Sequence, residues 1–155
     1  MTSIRRHLMV AALVVAAFLL GRAHAAQAPA AAQPRKPIVM TRIYAGPDGE
    51  SHAEEVEMKL SERGIAEFVA GAAQFSSRPA GPPNTNWHTG PRRQFVITLS
   101  GRAELEVSDG RKILAGPGNI NLIEDTTGKG HITRNVEDRV VITIPLPDEP
   151  AAGRK

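Results

Sequence analysis

Over much of the second half of the chain, apolar and polar residues alternate with a period of two, the signature of half-buried strands. From Arg102 to Ser108, Ala103, Leu105 and Val107 fall on one face, and Glu104, Glu106 and Ser108 on the other. Asp109-Gly110 supplies a two-residue hairpin turn, and Arg111–Ala115 returns as the partner strand. Arg93–Ser100 is β-rich, and Gly101 allows a tight turn after it. Beyond the break at Gly116-Pro117-Gly118, the segments Asn119–Ile123, His131–Asn135 and Arg139–Leu146 read as further strands. Upstream, Ile38–Tyr44 and Val56–Leu60 read as strands, with a turn at Gly46-Pro47-Asp48-Gly49 between them. Ser61–Ala73 reads two ways: a short helix capped by Ser61 with Glu62 in its first turn, or a strand followed by a loop. Ser76–Asn86, with Pro79, Pro82 and Pro83, reads as an irregular connection. Short strands at this spacing imply an all-β antiparallel sandwich or barrel.

The N-terminus follows a different pattern. Arg5-Arg6 precede an uncharged apolar run from Leu8 to Leu20, and Ala23-His24-Ala25 places small residues where a signal peptidase reads. Residues 1–25 are therefore expected to be a secretory signal peptide cleaved after Ala25, which places the mature protein in the periplasm or outside the cell. The run is shorter than the ~20 residues of a membrane span, although an uncleaved anchor is the alternative. Arg5-Arg6-His7-Leu8-Met9 also resembles a twin-arginine export signal, so the export route stays open. No cysteine follows the run, which excludes a lipoprotein anchor. Residues 26–37 are rich in Ala, Pro and Gln and read as a disordered linker; 38–147 is the domain, and 148–155 a flexible tail.

Removing the signal changes the charge argument. The whole chain carries 19 basic and 16 acidic residues, but Arg5, Arg6 and Arg22 leave with the signal, so the mature chain balances at 16 against 16. Neither nucleic acid nor an anionic membrane is expected as a partner. The absence of cysteine removes disulfides and thiol chemistry together. No phosphate-binding glycine loop and no serine-nucleophile motif is present.

Candidate chemistry gathers in two polar stretches, Trp87-His88-Thr89-Gly90-Pro91-Arg92-Arg93-Gln94 and Gly128-Lys129-Gly130-His131-Ile132-Thr133-Arg134-Asn135. His88, Gly90 and Gln94 have even spacing and share one face if a single strand runs through them. His131 could reach the same mouth, with Arg92 and Asn135 as further polar groups around a ligand. Two facing imidazoles suggest a metal, but they could equally hydrogen-bond carbonyls and lock loops. His52 follows a turn and reads as a solvent-exposed edge histidine, with a third-ligand role as the alternative. Glu124 and Asp125 point to opposite faces on a strand. Asp125 is expected to cap a turn in a solvated loop, although either carboxylate could orient His131 or Lys129. Of Arg92 and Arg93, only one is expected to serve the site.

These two stretches resemble the motifs of the cupin superfamily. The family's first motif has two histidines one residue apart, a glutamate four residues beyond the second and a glycine seven further on; this chain has His88, Gly90, Gln94 and Gly101. The second motif runs Gly, Pro-x-Gly, x-x-His, x-x-x-Asn. Here it reads Gly118, Glu124 at the proline position, Gly128, His131 and Asn135, with one extra residue before Gly128. The wider stretch is similar to a subgroup of small single-domain cupins of unassigned activity, over roughly residues 38–146. The resemblance implies a jelly-roll β-barrel and one divalent transition metal (Fe, Mn, Ni or Zn) on His88, Gln94 and His131. Glycine and glutamine at two of the four ligand positions imply a weak or degenerate metal site, or none. Three readings follow: a barrel that binds a small polar or anionic molecule through Arg92, Gln94 and Asn135; a metal-dependent dioxygenase- or isomerase-like enzyme; or a structural module that forms a homodimer through its sheet.

Overall fold

The structure is a computed structural model that describes residues 34–82 and 85–148. The expected signal peptide, most of the expected linker and the chain from Glu149 onward lie outside the described residues. Lys36–Lys155 forms one compact unit; of the other unit, Met1–Arg35, only Pro34 and Arg35 are described.

Among the described residues nine strands carry the fold: β1 (Val39–Ala45), β2 (Ser51–Glu57), β3 (Gln74–Arg78), β4 (Gln94–Ser100), β5 (Ala103–Glu106), β6 (Lys112–Ala115), β7 (Ile120–Glu124), β8 (Ile132–Asn135) and β9 (Arg139–Pro145). Six form one sheet in the order β2-β1-β7-β4-β9-β3, and three form a second in the order β6-β5-β8. No helix occurs among the described residues. The expected all-β architecture is present, with one departure from antiparallel pairing: β1 runs parallel to β7. Parallel neighbours need a long crossover, and five intervening strands supply one.

The sequence pattern explains most of these elements. In β5, Ala103 and Leu105 are buried while Glu104 and Glu106 are half exposed, as the alternation predicts. The Asp109-Gly110 turn closes through Gly110 N–H to the Val107 carbonyl and Arg111 N–H to the Asp109 carboxylate. Gly101, at φ 69°, lies so close to the Asp138 carbonyl that a Cβ would sit 2.0 Å from its oxygen. Only glycine fits there.

Three stretches differ from expectation. Ser61–Ala73 contains no helix. The Ser61 hydroxyl does accept from Ile65 N–H, but Gly64 adopts φ 76° and Ser61 N–H closes back on the Ile65 carbonyl. The capping signal therefore makes a turn, and the chain leaves it extended, with Phe68 edge-on to Phe95 at 5.1 Å. Gln74–Arg78, part of which was expected to be irregular, is an edge strand paired with β9. The second expected strand also begins earlier, at Ser51, because Ser51–Glu57 finds a full antiparallel partner in β1.

The sheets share one apolar core built from Ile43, Val96, Ile123 and Val141 on the larger sheet and Leu105, Val107 and Ala115 from the smaller one and its turn. Ser51 and Ser108 exchange backbone-to-hydroxyl bonds of 2.9 and 3.1 Å, which tie the start of β2 to the end of β5. A second cluster, with Met40, Phe95, Leu122 and Leu146, covers the outer face of the larger sheet. On that outer face Glu124 accepts from both Arg42 and Arg93, clamping β1, β7 and the entry to β4.

Burial alone would raise the Glu124 pKa, but the two guanidiniums outweigh it and hold the carboxyl below its usual 4.5. A carboxyl depressed in the folded state contributes stability above its unfolded pKa and loses it as pH falls through the folded value. Acid unfolding should show this directly. Between pH 6 and pH 3 the wild type is expected to lose more stability than Glu124→Gln does. Parallel denaturant curves for the two proteins over that range would remove the clamp from the account.

Candidate functional site

Strand parity builds the floor of the site. Along β4 the inward positions are Gln94, Val96 and Thr98, all buried. Register carries that face across the sheet: Val96 pairs with Asn121 and Gln94 with Ile123 on β7. On the other side Thr98 pairs with Val141 on β9, and β9 in turn places Arg139 opposite Arg78 on β3. Leu105 and Thr133 from the smaller sheet, with His88, Gly90, Pro91 and His131, complete the lining of a cavity of about 210 Å³.

His88 and His131 meet, but not through a continuous strand. Residues 91–93 bend, β4 begins only at Gln94, and His88 sits before the bend. His88 and His131 form an isolated antiparallel bridge, exchanging backbone bonds of 3.0 and 2.9 Å. Gly130 permits it: φ is 75°, and a Cβ there would lie 2.1 Å from the His88 carbonyl oxygen. The imidazole centroids are 4.7 Å apart at 53°. His88 is exposed at the rim, its Nδ1 3.3 Å from the Asn86 carbonyl.

His131 is 5% exposed and Asp125 is fully buried, and His131 Nδ1 lies 2.6 Å from Asp125 Oδ2. A carboxylate only accepts, so Nδ1 donates. The expectation of a solvated Asp125 is overturned; the orienting role raised as the alternative is what the geometry provides. Gly90 N–H bonds the Asp125 carbonyl at 3.1 Å, which holds the chain around Gly90 against Asp125. Glu124, one residue earlier on the opposite face, serves the outer clamp instead.

The strongest electrostatic feature is one that sequence reasoning missed. Arg139 is 2% exposed, and its Nε and Nη2 both donate to the Thr98 hydroxyl, at 3.1 and 2.8 Å. Among the described residues no carboxylate lies within 4 Å of Arg139 or of Arg78. Desolvation pushes the Arg139 pKa down to about 10, and the Arg78 charge adds to the shift. Desolvation lowers that of Arg78 as well. Like charges directly opposite each other in a ladder are destabilising, and buried unpaired charges more so. The only sequence signal is parity: Arg139 is in phase with inward Val141. It acquires meaning only once Arg78 is known to face it.

The expected site residues separate. His88, Gln94 and His131 line the cavity together. Arg92 is exposed and lines an adjoining depression that shares Arg78, Pro91 and Gln94 with the cavity, while Arg93 joins the clamp. Asn135 lies on β8 opposite Ala103, away from the lining, with its Oδ1 buried and unpartnered. His52 is half exposed, bonded to Asp48 at 3.3 Å and set against Tyr44 at 5.6 Å, apart from the cavity. Asn121, unremarked in the sequence, is 1% exposed and lines the cavity with neither amide atom partnered.

The donor set does not suit a tightly held divalent metal. It offers two imidazoles and a neutral amide, with no carboxylate in the lining, and no cluster of three or more His, Cys, Asp or Glu forms among the described residues. Position 90 cannot regain a ligand side chain without rearrangement, since a Cβ there would lie 2.5 Å from Ile123 Cγ2. Two guanidiniums in the same cavity repel a dication further.

No family model matches the chain, and no curated protein sequence matches it. Among solved structures, protein NMB1881 from Neisseria meningitidis is 14% identical, with a TM-score of 0.40 over 54% of this chain and 90% of its own. A protein named as ethanolamine utilization protein Q from Salmonella typhimurium LT2 is 12% identical, with a TM-score of 0.38 over 75% of this chain and 99% of its own. Likenesses this distant carry no argument about chemistry.

The Asp125–His131 contact has a spectroscopic consequence. In the wild type, ¹⁵N-edited NMR of the imidazoles should place the His131 proton on Nδ1. In Asp125→Ala the ring is expected to lose that preference and shift toward the Nε2–H tautomer. An unchanged tautomer would show that the carboxylate does not orient the ring.

Proposed function

We propose that the protein is an exported, cupin-type β-barrel that binds a small organic anion between its sheets, without dependence on a tightly held metal. The observation that carries this reading is the unpaired Arg78–Arg139 couple in the cavity wall. Desolvation pushes the Arg139 pKa down to about 10, so keeping that charge folded inside is costly. A carboxylate arriving between the two guanidiniums would offset that cost, and planar guanidinium forks match carboxylate geometry. Gln94 and the Nε2 atom of His131 add neutral hydrogen-bonding groups to the same wall. The anchor proposed here is thus Arg139 with Arg78, in place of Arg92 and Asn135.

Export rests on the Arg5-Arg6, Leu8–Leu20 and Ala23-His24-Ala25 pattern. The cupin assignment rests on the two motifs around His88 and His131. A second reading, a dioxygenase- or isomerase-like metal enzyme, draws on one observation: the adjoining His88 and His131 rings, one oriented by a carboxylate as metal-bound histidines commonly are. The cationic wall and the closed position 90 weigh against it.

Thermal unfolding of the full mature chain tests the anion reading. Small aliphatic carboxylates are expected to raise the wild-type midpoint, by about 2.7 kcal/mol of stabilisation at a hundred times Kd. Zn, Mn, Ni and Fe salts at low concentration should leave it unchanged. Arg139→Met should be at least as stable as the wild type without ligand, since it removes an unpaired buried charge, and should respond to no carboxylate. A wild type indifferent to every carboxylate, or stabilised by stoichiometric metal instead, would overturn the proposal.

A further inference from the structure

Asn121 narrows the class of anion. Its amide lies on the inward face of β7, 1% exposed, with both Nδ2 and Oδ1 lacking any protein partner. Leaving a buried amide unpaired costs about 1–3 kcal/mol, and native interiors rarely tolerate it. The side chain lines the same cavity as Arg78 and Arg139. Asn121 pairs with Val96, and Thr98, the hydroxyl that holds Arg139, is the next inward residue along β4. Diagonal neighbours in a sheet lie roughly 7–8 Å apart, so Asn121 and the Thr98 hydroxyl that holds Arg139 are within reach of one small ligand.

We infer that the bound anion is a short-chain hydroxy carboxylate with an aliphatic tail, its carboxylate on Arg78 and Arg139 and its neighbouring hydroxyl on Asn121. This inference rests on the anion reading above. A hydroxyl is the smallest group that accepts from Nδ2–H and donates to Oδ1 at once. A ketone oxygen would satisfy only Nδ2, and an ammonium would satisfy only Oδ1 while facing two guanidiniums. Val96, Leu105 and Ile123 give the wall an apolar part, beside the polar Gln94, Thr133, His88 and His131, and that part suits a branched hydrocarbon tail. The cavity of about 210 Å³ holds such a molecule and has no third cation for a second carboxylate.

The test compares two ligands that differ by one hydroxyl, 2-hydroxy-4-methylpentanoate and 4-methylpentanoate, by isothermal titration calorimetry on the full mature chain. The wild type is expected to bind the hydroxy acid about 5–150-fold more tightly, the span that 1–3 kcal/mol represents. Asn121→Leu should abolish that preference. Asn121→Ala serves the same purpose should leucine disturb the sheet, and the wild-type comparison needs no variant. Equal binding of the two acids by the wild type would overturn the hydroxyl assignment and leave the anion reading standing, with a water satisfying Asn121 instead. A preference that survives in both variants would do the same. Binding of neither acid would overturn the hydroxyl assignment, and indifference to every carboxylate in the thermal assay would remove the anion reading as well.

Discussion

The cavity depends on β4 being hydrogen-bonded on both sides. Its ladders to β7 and β9 set which residues of three strands face inward together. Because side chains alternate with a period of two, a slip of one residue in either ladder would turn Gln94, Val96 and Thr98 outward and bring Phe95 and Ile97 in. The apolar core resists that slip: Val96, Ile123 and Val141 meet Leu105 and Val107 of the facing sheet, and an outer cluster around Phe95 and Leu122 holds the other face. With two-sided burial the register has little freedom, and the polar groups of the site are carried into place by it.

Charge is distributed between the two faces of the larger sheet in opposite ways. On the outer face Glu124 sits between Arg42 and Arg93, and Arg42 also reaches Glu54, so cations and anions neutralise one another. On the inner face Arg78 and Arg139 oppose each other with only the Thr98 hydroxyl between the deeper one and its surroundings. The one buried carboxylate nearby, Asp125, is committed to His131. Folding thus leaves a positive wall beside an oriented imidazole and an unpartnered amide, and that combination describes an anion site better than a cation site.

Several of these features were legible in the chain. The alternation in Ala103–Glu106, the Asp109-Gly110 turn and the β-rich run from Gln94 are local patterns, and the structure reproduces them. The pairing of two polar stretches near His88 and His131 was also visible, although the reason given for it, one continuous strand from His88 to Gln94, is not how it happens. A backbone bridge made possible by Gly130 brings the rings together. The helix signal at Ser61 misleads because capping chemistry stabilises turns as well as helices, and Gly64 ends the turn before helix can propagate.

What the sequence alone determined is what depends on near neighbours: the all-β class, the strand faces with strong alternation, the turns that need glycine, and the segments that carry histidine. What only the tertiary structure decided is whatever depends on a partner distant in the chain. Gln74–Arg78 has no marked pattern and becomes a strand because β9 offers it an edge. Arg139 begins an unexceptional β-branched run and becomes a buried cation because Arg78, rather than an acid, lies opposite. Asn121 carries no signal of its own, and Asp125 reads as a solvated loop residue until the chain around Gly90 and His131 packs against it. Alternation is written by the order of residues, but desolvation and Coulomb energy are sums over everything packed around a group, and those neighbours exist only once the two sheets have met.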